Sequence, residues 1–114
     1  MNNLKYSKSL LRENIALIHS VAEWAQKMGY QEREKFSLHF REVFGQRPKE
    51  VFIEVKLEEI TRYLRDYPSE KNYCVALEFG FKDEKELYKF IKRHLKCTPT
   101  ELRKRLMVKA NAKG

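Results

Sequence analysis

Gly80–Leu106, GFKDEKELYKFIKRHLKCTPTELRKRL, repeats a pattern that the chain has already written once. Shifted by 80 − 29 = 51 positions, Gly29–Val55, GYQEREKFSLHFREVFGQRPKEVFIEV, lies on it without a gap. The pairs that agree in type include Ala25/Ala76, Gly29/Gly80, Phe36/Leu87, Phe40/Ile91, Phe44/Leu95, Pro48/Pro99, Glu50/Glu101 and Val51/Leu102. These are apolar or backbone-setting positions, which two copies of one small fold must share.

Each copy reads as a helix ending in Ala-x-x-apolar-Gly, a short turn, and a second amphipathic helix. Gly stops the first helix because it enters the left-handed conformation without steric cost. After the turn, Phe36, Phe40, Val43 and Phe44 fall at helical spacing, as do Leu87, Phe90, Ile91 and Leu95, so each second helix has an apolar face for a core. Two helices joined by a tight Gly-containing turn form a helix-turn-helix. The second helices are expected over about residues 32–44 and 83–95.

The opposite face of the second copy carries Lys85, Tyr88, Lys89, Lys92 and Lys96, a basic stripe with one aromatic. Asp83 is placed to cap this helix, with Glu86 at the third position. In the first copy Arg33, Ser37 and Arg41 face outward beside Glu34 and Leu38. Both copies close on a helix start with Pro at its first position: Thr98-Pro99-Thr100-Glu101, and Arg47-Pro48-Lys49-Glu50 without a good capping side chain. Free amides at such a start, with Arg or Lys nearby, suit phosphate oxygens.

The duplicated Ala-x-x-apolar-Gly-aromatic turn, with apolar residues seven and eleven positions after each Gly and Pro nineteen after, resembles the DNA-binding domain of AraC/XylS transcription regulators. The resemblance covers Leu10 to Leu106. It implies an all-α fold with two helix-turn-helix subdomains on a long connecting helix, as in short MarA- and SoxS-like members or an excised C-terminal domain. It also implies two recognition helices in successive major grooves of double-stranded DNA. Arg33, Ser37, Lys85, Tyr88 and Lys89 are then the candidate base readers. Arg41, Lys49, Lys92 and Thr98 are candidates for positioning on phosphate, with Arg47 beside them. Leu38 stands where a polar or basic reader is usual, and suits a thymine methyl instead. Lys96 replaces the Gly that Gly45 supplies in the first copy, and Asn72 takes the usually apolar place of Val21, so the second copy's first arm is expected to pack less well.

Length and charge agree. The 114 residues suffice for one domain or two very small units sharing a helix. The net charge of +8 is uneven: +2 over residues 1–20, zero over 21–66 and +6 over 67–114. The second unit is therefore expected to dominate attraction to phosphate, while Glu32, Glu34 and Glu42 weaken the first. No apolar run of ~18 residues and no signal peptide appear, so a membrane is not expected, and a cytoplasmic monomer is. Cys74 and Cys97 lack zinc spacing and are expected as reduced structural thiols. His19, His39 and His94 form no metal or catalytic pattern, and the chain carries neither a Walker loop nor a dinucleotide Gly motif. No enzyme activity and no cofactor are expected.

Along the chain, residues 1–9 read as a loose tail and Leu10, Leu11, Ile15 and Ile18 as one helix. Ser20 caps the next helix, and Trp24 is on its core side. Ile53, Leu57, Ile60, Leu64 and Tyr67 form one stripe along a connecting helix from Pro48 to Asp66, ~28 Å at ~1.5 Å per residue. Major grooves on one face of B-DNA repeat at ~34 Å, which this length approaches. The second unit spans 67–106, its first arm running from Glu70 to Phe79, and residues 107–114 form a basic tail that continues the last helix and frays. RNA polymerase is a further candidate partner. A rival reading is a degenerate helix-turn-helix that binds protein and not DNA, favoured by the acidic first recognition helix.

Overall fold

Gly29 and Gly80 have φ of 85° and 77°, and each ends a helix with the same pair of hydrogen bonds. Tyr30 N donates to Ala25 O (2.9 Å) and Gly29 N to Gln26 O (2.9 Å); Phe81 N donates to Ala76 O (2.8 Å) and Gly80 N to Leu77 O (3.2 Å). This is a Schellman stop, in which a left-handed residue lets two amides reach back to the last carbonyls. Its recurrence at the same offset shows the duplication in backbone geometry as well as in residue type.

The computed structural model describes residues 4–113, with side chains through Val108. A 3₁₀ turn, Leu4–Tyr6, precedes α1 (Ser7–Glu13), α2 (Val21–Lys27), α3 (Arg33–Phe44), α4 (Pro48–Asp66), α5 (Asn72–Glu78), α6 (Glu84–Leu95) and α7 (Pro99–Lys113). Among the described residues there is no strand, so the chain is all-α. None of these helices is long and apolar enough to cross a membrane. The chain divides into two units between Lys56 and Leu57, inside α4 and not at its end near Asp66 as the sequence suggests.

In the first unit α2 starts on the Ser20 cap, whose Oγ accepts from Glu23 N at 3.1 Å. Trp24 is fully buried and meets Phe36 and Phe40 edge-on at 5.1 and 5.2 Å between centroids, with Phe52 at 6.5 Å. Edge-on packing sets the positive ring rim against the negative face and adds to the gain from burial. The indole is not left unsatisfied: Nε1 donates to Ser7 O at 3.0 Å. That bond corrects the expectation of a loose tail through residue 9. Leu4 and Ser7 are buried, and Ser7 Oγ donates to Leu4 O at 2.6 Å. The segment contributes little apolar surface and is held through its backbone, which hydrophobic periodicity does not register. Residues 1–3 of that expected tail lie outside the described residues.

Four apolar positions also differ from the sequence reading. α1 ends at Glu13, where Asn14 Nδ2 donates to Leu10 O at 2.9 Å, and Ile15 and Ile18 are buried from the turn that follows. Val43 is 53% exposed, because it stands at the rim of the arc centred on Phe36 and Phe40, in the last turn of α3. Tyr67 is 55% exposed, because α4 stops at Asp66 and the stripe ends with it.

In the second unit the core is aliphatic: Ile60 and Leu64 of α4, Val75 and Ala76 of α5, Leu87 and Ile91 of α6, and Leu102 of α7, with Phe79 and Cys97. α6 starts on Asp83, whose Oδ1 accepts from Glu86 N at 2.9 Å. α5 begins at Asn72 and not at Glu70. The backbone of the expected tail from 107 continues α7 to Lys113, and Gly114 lies outside the described residues.

Candidate nucleic-acid interface

Burying Phe36 and Phe40 commits the other side of α3 to solvent, and the cations on that side do not disperse. A cleft of about 390 Å³ in the first unit is lined by Arg33, Ser37 and Arg41 of α3, by Val21 at the start of α2, and by Arg47, Pro48 and Lys49 at the start of α4. Five of the residues singled out from the sequence therefore meet at one depression. Four of them are cations, and α4 begins there with the positive end of its dipole, which makes the cleft suitable for an anion.

The acids of α3 are placed differently. Glu32, Glu34 and Glu42 are exposed, and none of them lines the cleft. Arg47 Nε lies 3.9 Å from Glu50 Oε1, with both side chains largely in water. Such an i,i+3 pair contributes little, about 0.5 kcal/mol or less, and leaves the guanidinium available. A formal charge of zero over 21–66 thus conceals a local positive site. Leu38, next to Ser37, is 57% exposed and does not line the cleft, since one residue turns a helix by about 100°.

In the second unit Lys85, Tyr88, Lys89 and Lys92 are all exposed on α6, Tyr88 at 45%. Burial of Leu87 and Ile91 forces this, because the stripe occupies the opposite face of the same helix. Lys89 Nζ lies 3.9 Å from Glu86 Oε1 at the surface. Lys96 ends α6 with φ 59°, the positive-φ residue without a glycine's freedom among the described residues. Its Nζ donates to Arg93 O at 3.0 Å.

Thr98 is half-buried and already engaged. Its Oγ1 accepts from Glu101 N at 3.1 Å, and its own N donates to Glu101 Oε1 at 3.0 Å. This reciprocal box satisfies two amides at the start of α7. The bonds from the Thr98 amide and hydroxyl hold the Glu101 carboxyl below the usual carboxylate range. The start of α7 therefore carries its own carboxylate, whereas Arg47 and Lys49 put cations beside the start of α4.

Sequence reasoning did not single out Val21 and Pro48 as part of this surface. Nor did it bring Arg47 and Lys49 to Arg33 and Arg41, because the turn after Gly45 sets that proximity and helical period does not. Gly45, at φ 67°, is the signal that marked the reversal.

Comparison with known proteins agrees with the helix-turn-helix fold. The family model described as "Helix-turn-helix domain" matches residues 24–105, which takes in both copies. A solved structure from Chromobacterium violaceum, described as a transcriptional regulator of the AraC-type DNA-binding domain-containing proteins, has the same fold. It is 23% identical with a TM-score of 0.71, covering 90% of each chain. No curated protein matches the sequence. The chain belongs to the AraC-type helix-turn-helix family of DNA-binding transcription regulators.

Proposed function

We propose that the protein is a sequence-specific transcription regulator that reads a bipartite duplex site, with α3 and α6 in successive major grooves. The observation that carries this reading is the sorting of side chains on the two equivalent helices. Phe36 and Phe40 of α3, and their counterparts Leu87 and Ile91 of α6, are buried, and the cations lie on the free side. Arg33, Ser37, Lys85, Tyr88 and Lys89 are the proposed base readers. Arg41, Arg47, Lys49, Lys92 and Thr98 are the proposed phosphate contacts, the cleft in the first unit accepting one phosphate of the backbone. Leu38 is proposed to meet a thymine methyl.

Selection from random duplexes with the purified chain tests the reading. Two conserved blocks with centres about 10 base pairs apart are expected. A single block would remove one unit from base reading, and no enrichment would refute sequence-specific binding. The exposed Leu38 and Val43 beside Glu34 and Glu42 on α3 favour a second reading, in which this face binds protein. Salt separates the two. A DNA complex with several phosphate contacts loses ~10³-fold or more between ~50 and ~200 mM salt, whereas a protein-binding module shows no DNA retention to titrate.

A further inference from the structure

The duplication supplies a control for surface features, because what one copy covers and the other leaves open is not required by the fold. In the first unit Val51 and Val55 of α4 are 3% and 2% exposed. Phe44 carries the Lys8 ammonium 4.5 Å from its ring centroid, and Lys8 Nζ donates to Gln46 Oε1 at 3.4 Å. The 3₁₀ turn that brings Lys8 there, Leu4–Tyr6, packs on α3 with Leu4 buried. A short helical piece of polypeptide thus packs on the recognition helix, with Lys8 over Phe44; Phe44 is half-exposed like its counterpart Leu95, so the copies differ in burial at Val55 against Leu106.

In the second copy the matching positions are Leu95, Leu102 and Leu106. Leu95 and Leu106 remain half-exposed, and with Leu102 and Val108 they border an apolar groove of about 580 Å³. The segment equivalent to Leu4–Lys8 falls on residues 55–59, which continue α4 as straight helix with no turn to fold back. Lys104 and Arg105 line the same groove, and among the described residues no carboxylate does. Glu101, one turn before Arg105, is directed to the Thr98 amide. Val108 and its neighbour Met107 are 66% and 57% exposed.

We propose that this groove docks an acidic amphipathic helix of another protein. Its apolar face would cover Leu95, Leu106 and Val108, and its carboxylates would meet Lys104 and Arg105. Charge selects this occupant: desolvating an apolar floor drives association, and a rim of one sign admits partners of the other. The surface is separate from the proposed DNA contacts, since none of its residues is among them.

The test uses the full chain and a labelled synthetic peptide of about 16 residues, long enough for marginal helix, with Leu at helical spacing and Glu elsewhere. A second peptide carries Lys in place of Glu. Fluorescence anisotropy is expected to give a Kd on the order of 10–100 μM for the Glu peptide, and Lys104→Glu with Arg105→Glu is expected to weaken it about tenfold or more. Val108→Glu, at an exposed site that folding does not use, should weaken it as well. Lys89→Ala with Lys92→Ala should change nothing, which separates the groove from the α6 face. Equal binding of the two peptides, retention by the groove variants, or loss in the α6 variant would each overturn the proposal. So would occupancy by dodecanoate with no peptide bound, which would assign the groove to a small amphiphile. The assay contains no DNA, so it stands or falls apart from the regulator reading.

Discussion

Arg103 holds Asn72 with two nitrogens: Nε and Nη2 donate to its Oδ1 at 3.2 and 2.9 Å. The same guanidinium donates to Pro68 O at 2.7 Å and to Glu70 O. In the first copy the matching positions are Val21 and Phe52, and Phe52 is buried near Trp24. An apolar pair has thus been exchanged for a hydrogen-bonded one. A polar residue at position 72 suggests a looser α5; instead, the planar fork of Arg103 fastens the start of α5 and the turn before it to α7.

Arg103→Ala should therefore destabilise the second unit by about 2 kcal/mol, since it removes charge-assisted bonds and strands partly buried acceptors. Arg103→Lys should recover little, because a single ammonium does not reproduce the fork. Urea unfolding of both variants, with Asn72→Ala to complete a double-mutant cycle, measures this. A cycle energy near zero would show that the interaction is incidental.

Lys96 occupies left-handed backbone at φ 59°, where Gly45 serves the first copy at φ 67°. Lys96→Gly should stabilise the chain by about 0.5–1 kcal/mol, the relief of left-handed strain exceeding the entropy that glycine adds to the unfolded state. Loss of the Nζ bond to Arg93 O subtracts from this gain. A raised urea midpoint is expected, and a lowered one would show that the side-chain bond outweighs the strain.

For DNA, Lys89→Ala with Lys92→Ala should cost more affinity than Arg33→Ala with Arg41→Ala. The second unit lies in the segment of net charge +6, whereas α3 carries Glu34 and Glu42. Removing one cation from a phosphate should reduce the salt slope by about 0.9. Equal reductions in affinity would refute the ranking and would credit the cleft beside α4 with a full share.

Lys56 provides a pH test. Burial lowers the pKa of its amine, and the charge of Glu23 opposes part of that shift. Between the lowered native value and the unfolded value near 10.5, the unfolded chain binds more protons, so stability rises with pH through that window. Below it both states are protonated, and the cost of the buried charge is present in full. Lys56→Met should abolish the rise. Urea unfolding of both proteins from pH 7 upward reads the difference, in which the opposing contributions of Tyr63 and Cys74, both raised by burial, cancel. Parallel curves would show that Lys56 stays charged throughout.

Much of this molecule is legible as one-dimensional pattern. The Gly stops, the caps at Ser20, Asp83 and Thr98, the Pro starts and the buried Phe36/Leu87 and Phe40/Ile91 positions all depend on residues within a turn or two of each other. Local sterics and hydrogen bonding therefore fix them, and the offset of 51 residues displays them twice. The same periodicity places Lys85, Lys89 and Lys92 on the solvent side of α6. The meeting of Arg33 and Arg41 with Arg47 and Lys49, the clasp of Arg103 on Asn72, and the bond from the Trp24 indole to Ser7 O are of another kind. Each joins residues from different helices through the path of the chain, so burial and closure energy decide them, and helical period carries no record of either.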